Sequence, residues 1–222
     1  MGAAPMGGSQ SGAPFGGPAN ETPVVLVNNL AEEKVCPDAL FTLFGLYGDV
    51  MRVKLLYNKK DMALIQFANN HQAYVATLNL NRVNLYGKEL VVRPSKHREV
   101  ALPRPGAESM DMTKDYSDSP LHRFRRSGSK NAKNICPPSP VLFISNLPDD
   151  ATKDDVTNIF GESVLAVEFF KTNKNLAFIR MGSTEEAVAA LIAHHNHKIR
   201  ERFIRISFSH KDPNAVTGEG NQ

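Results

Sequence analysis

VLFISNL (Val141–Leu147), followed further along by NKNLAFIRMGS (Asn173–Ser183), is the pair of segments that decides the fold. Each is a short apolar run closed by polar or glycine residues, the pattern of a strand bounded by turns. Each also has an earlier counterpart. VVLVNNL (Val24–Leu30) stands 117 positions before the first, and KKDMALIQFAN (Lys59–Asn69) stands 114 before the second. Two motifs recurring in the same order at nearly the same offset imply a duplicated domain.

Working outward, each copy reads strand, helix, strand, strand, helix, strand. In the first, Val24–Asn29 is a strand and Pro37, suited to a first helical position, opens a helix to Tyr47. Strands Val50–Tyr57 and Met62–Ala68 flank a turn at Asn58-Lys59-Lys60-Asp61. Asn69 with Gln72 caps the next helix, and Leu90–Arg93 closes the unit. The second copy gives Val141–Ser145, Thr152–Phe160, Val164–Lys171, Leu176–Met181, Thr184–His194 and Phe203–Ser209. Its helices open with Thr152-x-x-Asp155 and Ser183-x-x-Glu186, the latter a capping box. The predicted class is α+β: two ferredoxin-like βαββαβ domains, each a four-stranded antiparallel sheet backed by two helices. The expected division is a disordered tail (1–23), a first domain (24–100), a linker (101–140), a second domain (141–211) and a second tail (212–222).

Charge narrows the function less than pattern does. The net charge of +3 over 222 residues is too small to announce a polyanion partner unaided. Its distribution is uneven: Val24–Lys96 carries nine Lys/Arg against six Asp/Glu, and 97–140 eight against five. From Val141 to Lys211 nine face nine. The two cysteines, Cys36 and Cys136, form no close pair, so neither a disulfide framework nor a zinc site is signalled. No apolar run reaches the ~20 residues needed to cross a bilayer, and the first residues lack a signal peptide's apolar core. A reducing compartment, no membrane and no cofactor are expected.

An antiparallel sheet with both helices on one face leaves the other face open, and alternation says which side chains stand on it. In the second copy Phe143 and Ser145 point outward from the first strand, and Leu176, Phe178 and Arg180 from the third. Phenylalanines on an uncovered sheet are costly to leave in water. Nucleic-acid bases supply flat partners, worth ~1–3 kcal/mol each.

LFISNL and KNLAFIRM, in that order, resemble the paired RNP motifs of the RNA-recognition motif. Lys174, Ala177, Phe178 and Ile179 meet the third-strand pattern; Asn175, Leu176 and Met181 depart from it. In the first copy Leu26, Met62 and Leu64 stand where aromatics are expected. Recognition would then lean on base edges. The candidates are Asn28, Arg52, Lys54, Gln66, Arg93, Ser95 and Lys96 in the first copy. In the second they are Ser145, Phe170, Arg180, Arg205, Ser207 and Ser209. Aliphatic residues at aromatic positions resemble the polypyrimidine tract-binding proteins. So do Gly45–Ala68, the segment TKDYSDSPLHRFRRSGSKNAKNICPPS (Thr113–Ser139) and ISFSHK (Ile206–Lys211), matching that family's last two domains and their linker. The resemblance implies a nuclear regulator of pre-messenger RNA splicing, shuttling to the cytoplasm, that binds CU-containing pyrimidine tracts. It implies other splicing regulators as partners and a monomeric state. With two of the family's four domains, the chain is expected to be a fragment or a short form.

Helix faces predict that the domains are not independent. Phe41, Leu46, Val75, Leu78, Val188 and Ile192 are apolar yet fall outside their helices' core stripes. We expect them to pack the two helical faces together, aided by Leu121 and Phe124 of the linker. Other readings are blander. His194, His195 and His197 lack a carboxylate or cysteine at ligand spacing and read as loop residues. Asp149, Asp150, Asp154 and Asp155 suit a helix N-terminus better than catalysis. The run Arg123, Arg125, Arg126, Lys130 and Lys133 reads equally as a solvated linker or a phosphate tether. A protein adaptor working through the helical face, and a small ferredoxin-like enzyme, are the competing functions.

Overall fold

The first repeat folds as Val24–Asn28 (β1), Pro37–Phe44 (α1), Val50–Leu56 (β2), Lys59–Phe67 (β3), Asn70–Leu80 (α2), Asn84–Leu85 (β4), Lys88–Glu89 (β5) and Val91–Pro94 (β6). This is a computed structural model that describes residues 21–107, 110–125 and 134–211. Thr113–Asp115 (β7) follows in the linker. The second repeat comprises Val141–Ser145 (β8), Lys153–Phe160 (α3), Val164–Phe169 (β9), Ala177–Met181 (β10), Thr184–His194 (α4), Lys198–Ile199 (β11), Arg202–Phe203 (β12) and Arg205–Phe208 (β13). The sheets run β6-β1-β3-β2-β7 and β13-β8-β10-β9.

Local chemistry sets the ends of these elements. Pro37 opens α1 and the Asn69 side chain accepts the Gln72 N–H at 3.0 Å to cap α2. The reciprocal capping box is at α3: Thr152 and Asp155 exchange bonds of 3.1 and 2.9 Å. At α4, where the box was expected, Ser183 caps the Glu186 N–H but the Glu186 carboxylate turns to the Ser163 and Ser183 hydroxyls. Gly48 is required by close approach, since a Cβ there would lie 2.5 Å from the Gln72 Cβ.

Four features differ from the sequence reading. The β2–β3 turn is Tyr57-Asn58, and Lys59–Asp61 belong to β3. Each domain adds a two-residue hairpin, β4–β5 or β11–β12. Both are held from the end of the first strand, where Asn29 and Asn146 take φ of 64°. Their amides donate to the Glu89 and Phe203 carbonyls at 2.9 and 3.0 Å. The linker supplies β7, so the first sheet has five strands, with Arg52 across from Asp115. Thr22 and Pro23, assigned to the tail, are tied to the sheet: Thr22 donates to the Ser95 carbonyl at 2.7 Å, and Pro23 accepts from the Phe67 N–H. Residues 1–20 and 212–222 of the expected tails, and Arg126, Lys130 and Lys133, lie outside the described residues.

One apolar core runs through both domains, from Val25 and Phe44 in the first to Val188 and Phe208 in the second. Helix α1 meets α4, which also meets β4. The open face of each sheet therefore lies on the far side of its own helices from the partner domain.

Candidate nucleic-acid interface

On the second sheet, register places Phe178 across from Phe143 and Ser207 across from Phe143 on its other side. Phe170, just past the end of β9, hydrogen-bonds through its N–H to the Leu176 carbonyl. Its ring thereby joins the other two. Phe143–Phe178, Phe143–Phe170 and Phe170–Phe178 centroids lie 5.7, 6.0 and 5.0 Å apart, tilted or edge-on. All three are partly exposed, as are Leu176, Arg180, Ser145, Arg205, Ser207 and Ser209. Leu176 and Ser209 fall just outside their strands, and Ser209 donates its N–H to Val141 across the sheet.

The first sheet differs. The chain after β6 doubles back across its open face, and Val100 packs on Val24 and Leu64, with Leu26 and Leu56 beside them. Polar clamps hold this strap. Gln66 accepts the Val100 N–H at 2.8 Å, and Arg52 donates to the Val100 carbonyl at 3.0 Å. The same guanidinium pairs with Glu99 and Asp115, which raise its pKa further. Of the expected contacts, Leu64 is thus buried beneath Val100, and Arg52 and Gln66 are hydrogen-bonded to the strap. Ser95 is also buried, its hydroxyl accepting from the His97 N–H at 3.1 Å. Leu26, Asn28, Lys54 and Met62 are half-buried, and Arg93 and Lys96 are exposed.

Of the residues expected between the domains, Phe41, Leu46 and Val188 are buried, and Val75, Leu121 and Ile192 pack against the shared core. Phe41 stacks on Tyr116 at 4.1 Å. Tyr116 in turn donates to Asp38, whose carboxyl stays below its usual range because bonds from Lys114 and Tyr116 outweigh burial. Two differ: Phe124 is partly buried and held through its N–H by Asp49 but is not part of that core, and Leu78 is 63% exposed.

The linker is pinned by Asp49, which the sequence did not single out, and by Arg123 and His195, which it read as part of a basic run and as a loop residue. Asp49, almost fully buried, accepts the backbone N–H groups of Arg123 and Phe124 at 2.9 Å each. Tyr47 donates to the Cys136 carbonyl at 3.1 Å. Arg123 reaches into the second domain and donates to the Ile206 carbonyl at 2.8 Å. The Nδ1 of His195 accepts the Ile206 N–H at 3.1 Å. Both outward backbone groups at this point of edge strand β13 are thus satisfied, which closes it to pairing with another chain. Burial, with the charges of Arg123 and Arg205, pushes His195 down to about 3. Burial and Arg205 lower Arg123 to about 10, which leaves it charged at neutral pH. The other two histidines pack as rings: His194 lies 4.9 Å from Phe160 and 6.2 Å from His197.

An antiparallel sheet backed by two helices, present twice and carrying an open aromatic cluster in the second copy, has the form of an RNA-binding module. Residues 3–119 match the profile described as RNA recognition motif (RRM, RBD or RNP domain), and residues 142–205 match a second RNA recognition motif profile. The first match alone covers more than half of the chain, which belongs to the RNA recognition motif family. It is similar to polypyrimidine tract-binding protein homolog 3 of Arabidopsis thaliana, 39% identical over 193 residues, 86% of this chain and 43% of the relative. The chain thus spans less than half the length of that relative. Solved structures with some likeness include a complex titled Sxl-lethal protein/RNA (TM-score 0.32, 20% identity, 85% of this chain, 100% of that one). Another is the first two RRM domains of yeast poly(U) binding protein Pub1 (TM-score 0.32, 17% identity, 85% and 99%).

Proposed function

We propose that the chain binds pyrimidine-rich, CU-containing single-stranded RNA and regulates pre-messenger RNA splicing in the nucleus, shuttling to the cytoplasm. It acts as a monomer alongside other splicing regulators and by binding rather than catalysis. The observation that carries this reading is the Phe143–Phe170–Phe178 cluster, three rings within 6.0 Å of one another on an otherwise open sheet. Stacked bases would cover these rings, and Arg180 and Arg205 stand beside them for phosphates. Pyrimidine preference rests on the likeness to the polypyrimidine tract-binding protein homolog. Small bases also fit the narrow aliphatic surface of Leu26 and Met62.

Because α1 lies against α4, the two sheets would hold RNA on opposite sides, and one strand engaging both would loop between them. The test is a titration with CU-rich, A-rich and G-rich single strands at two salt concentrations. Tighter binding of the CU-rich strand at both salts is expected. Equal affinity for all three with a steep salt slope would leave only non-specific phosphate binding.

A further inference from the structure

A cavity of about 650 Å³ separates the linker from the edge of the second sheet. One wall is formed by Phe143 and Ser145 of β8 with Arg205 and Ser207 of β13; the other is the linker, including Arg125 and Cys136. Register sets Arg205 across from Ser145 and Ser207 across from Phe143, on the face that carries the phenylalanine cluster. The cavity is therefore continuous with that face and turns from it toward the domain junction.

Its electrostatics are one-sided. None of the described residues lining it is acidic, whereas Arg123, Arg125 and Arg205 all contribute. Arg123 and Arg205 are near enough to oppose each other's charge. Like charges held together in a partly desolvated site favour an anion between them. The planar guanidinium fork matches the two free oxygens of a phosphodiester. Serine hydroxyls and linker backbone groups supply donors and acceptors for a base edge. The volume lies within the ~300–1,000 Å³ typical of small-ligand sites, ample for one nucleotide.

We propose that this cavity takes one nucleotide of the RNA lying on the second sheet, its phosphodiester against Arg205 and Arg125 and its base between Phe143 and the linker. The inference rests on the RNA-binding reading above and adds a direction to it. RNA leaves the phenylalanine cluster along β13 and enters the junction, which fixes where a loop toward the first domain begins. The linker then belongs to the binding surface as well as to the domain interface.

The two cysteines allow a direct test on the whole chain. Cys136 lines the cavity, whereas Cys36 is exposed at the start of α1 and does not line it. Alkylation of both would be followed by mass spectrometry with and without a saturating CU-rich nonanucleotide. We expect the RNA to slow modification of Cys136 several-fold and to leave Cys36 unchanged. Arg125→Gln is the matching variant, because Arg125 is exposed, donates to the Ser117 carbonyl and lies 4.0 Å from the Asp118 carboxylate. It should weaken binding about two- to tenfold and lower the slope of log K against log salt by about 0.7, the share of one phosphate on a single strand. Phe178→Ala, outside the cavity, is the control for the underlying reading. If Phe178→Ala weakens binding while Cys136 stays fully reactive and Arg125→Gln keeps affinity and slope, the cavity assignment is overturned and RNA binding by the sheet stands. If Phe178→Ala leaves affinity intact, the underlying reading fails. Protection of Cys136 by uridine monophosphate but not by the nonanucleotide would likewise overturn the RNA path.

Discussion

Acidification should loosen the domain junction through His195, and the size of the effect can be worked out. His195 is neutral in the folded chain, its Nδ1 accepting the Ile206 N–H at 3.1 Å beside Arg123. A protonated ring could not accept that bond and would face two guanidinium charges. The folded pKa is about 3 against 6.5 for the free side chain. Between these values the unfolded chain binds more protons, so this contribution to stability is full above pH 6.5 and is lost as pH falls toward 3. Each pH unit inside the window is worth about 1.4 kcal/mol, so lowering the pH from 7 to 5 should cost about 2 kcal/mol. Urea unfolding at pH 7, 6 and 5, comparing the native chain with His195→Gln, isolates the term. Glutamine can still accept the Ile206 N–H but cannot titrate. His194, lowered by burial and His197, acts in the same direction but is present in both proteins. Asp38 and Asp115, with depressed pKa values, lose their share only at still lower pH. If both proteins lose stability equally between pH 7 and 5, the buried neutral imidazole is refuted.

Other perturbations separate the platform from the scaffold. Replacing Phe143 and Phe178 by Ala should remove ~1–3 kcal/mol per lost base stack, read by fluorescence anisotropy with a CU-rich strand, while thermal unfolding changes little. Phe41→Ala removes a buried ring stacked on Tyr116 and should cost about 3–5 kcal/mol in denaturant unfolding. The isolated second domain keeps the phenylalanine face but lacks the linker wall of the cavity, so it should still bind the CU-rich strand, about two- to tenfold more weakly than the whole chain. Asn69→Ala, which leaves the Gln72 N–H uncapped, should cost about 1 kcal/mol.

Much of this was legible because burial imposes a period. The strands Val24–Asn28 and Val141–Ser145 and the helix Thr184–His194 are long enough, and alternate or repeat regularly enough, to stand out in one sequence. What escaped has no period. The β4–β5 and β11–β12 hairpins are two residues per strand, although the repeated asparagines at 29 and 146 were a visible signal for them. Strand β7, Thr-Lys-Asp, is short and pairs with residues some sixty positions earlier. The strap is set by one apolar contact, Val100, whose target cannot be read from spacing. That contact is why outward parity placed Leu64 and Gln66 correctly on the open face but not in the open. Asp49 reads as a turn residue, and only the folded chain brings two linker amides to its carboxylate. Leu78 was misplaced because an apolar residue off the core stripe was assumed to have a partner, and single exposed leucines need none.

The central claim is that the phenylalanine face of the second sheet is where RNA binds. Backbone amide shifts of the ¹⁵N-labelled chain, followed during titration with a CU-rich single strand, test it most directly. The account predicts changes concentrated in β8, β10 and β13, at and around Phe143, Phe178 and Ser207, with α1 and α4 left in place. Changes confined to the helices, with β8 and β10 unmoved at saturation, would contradict it.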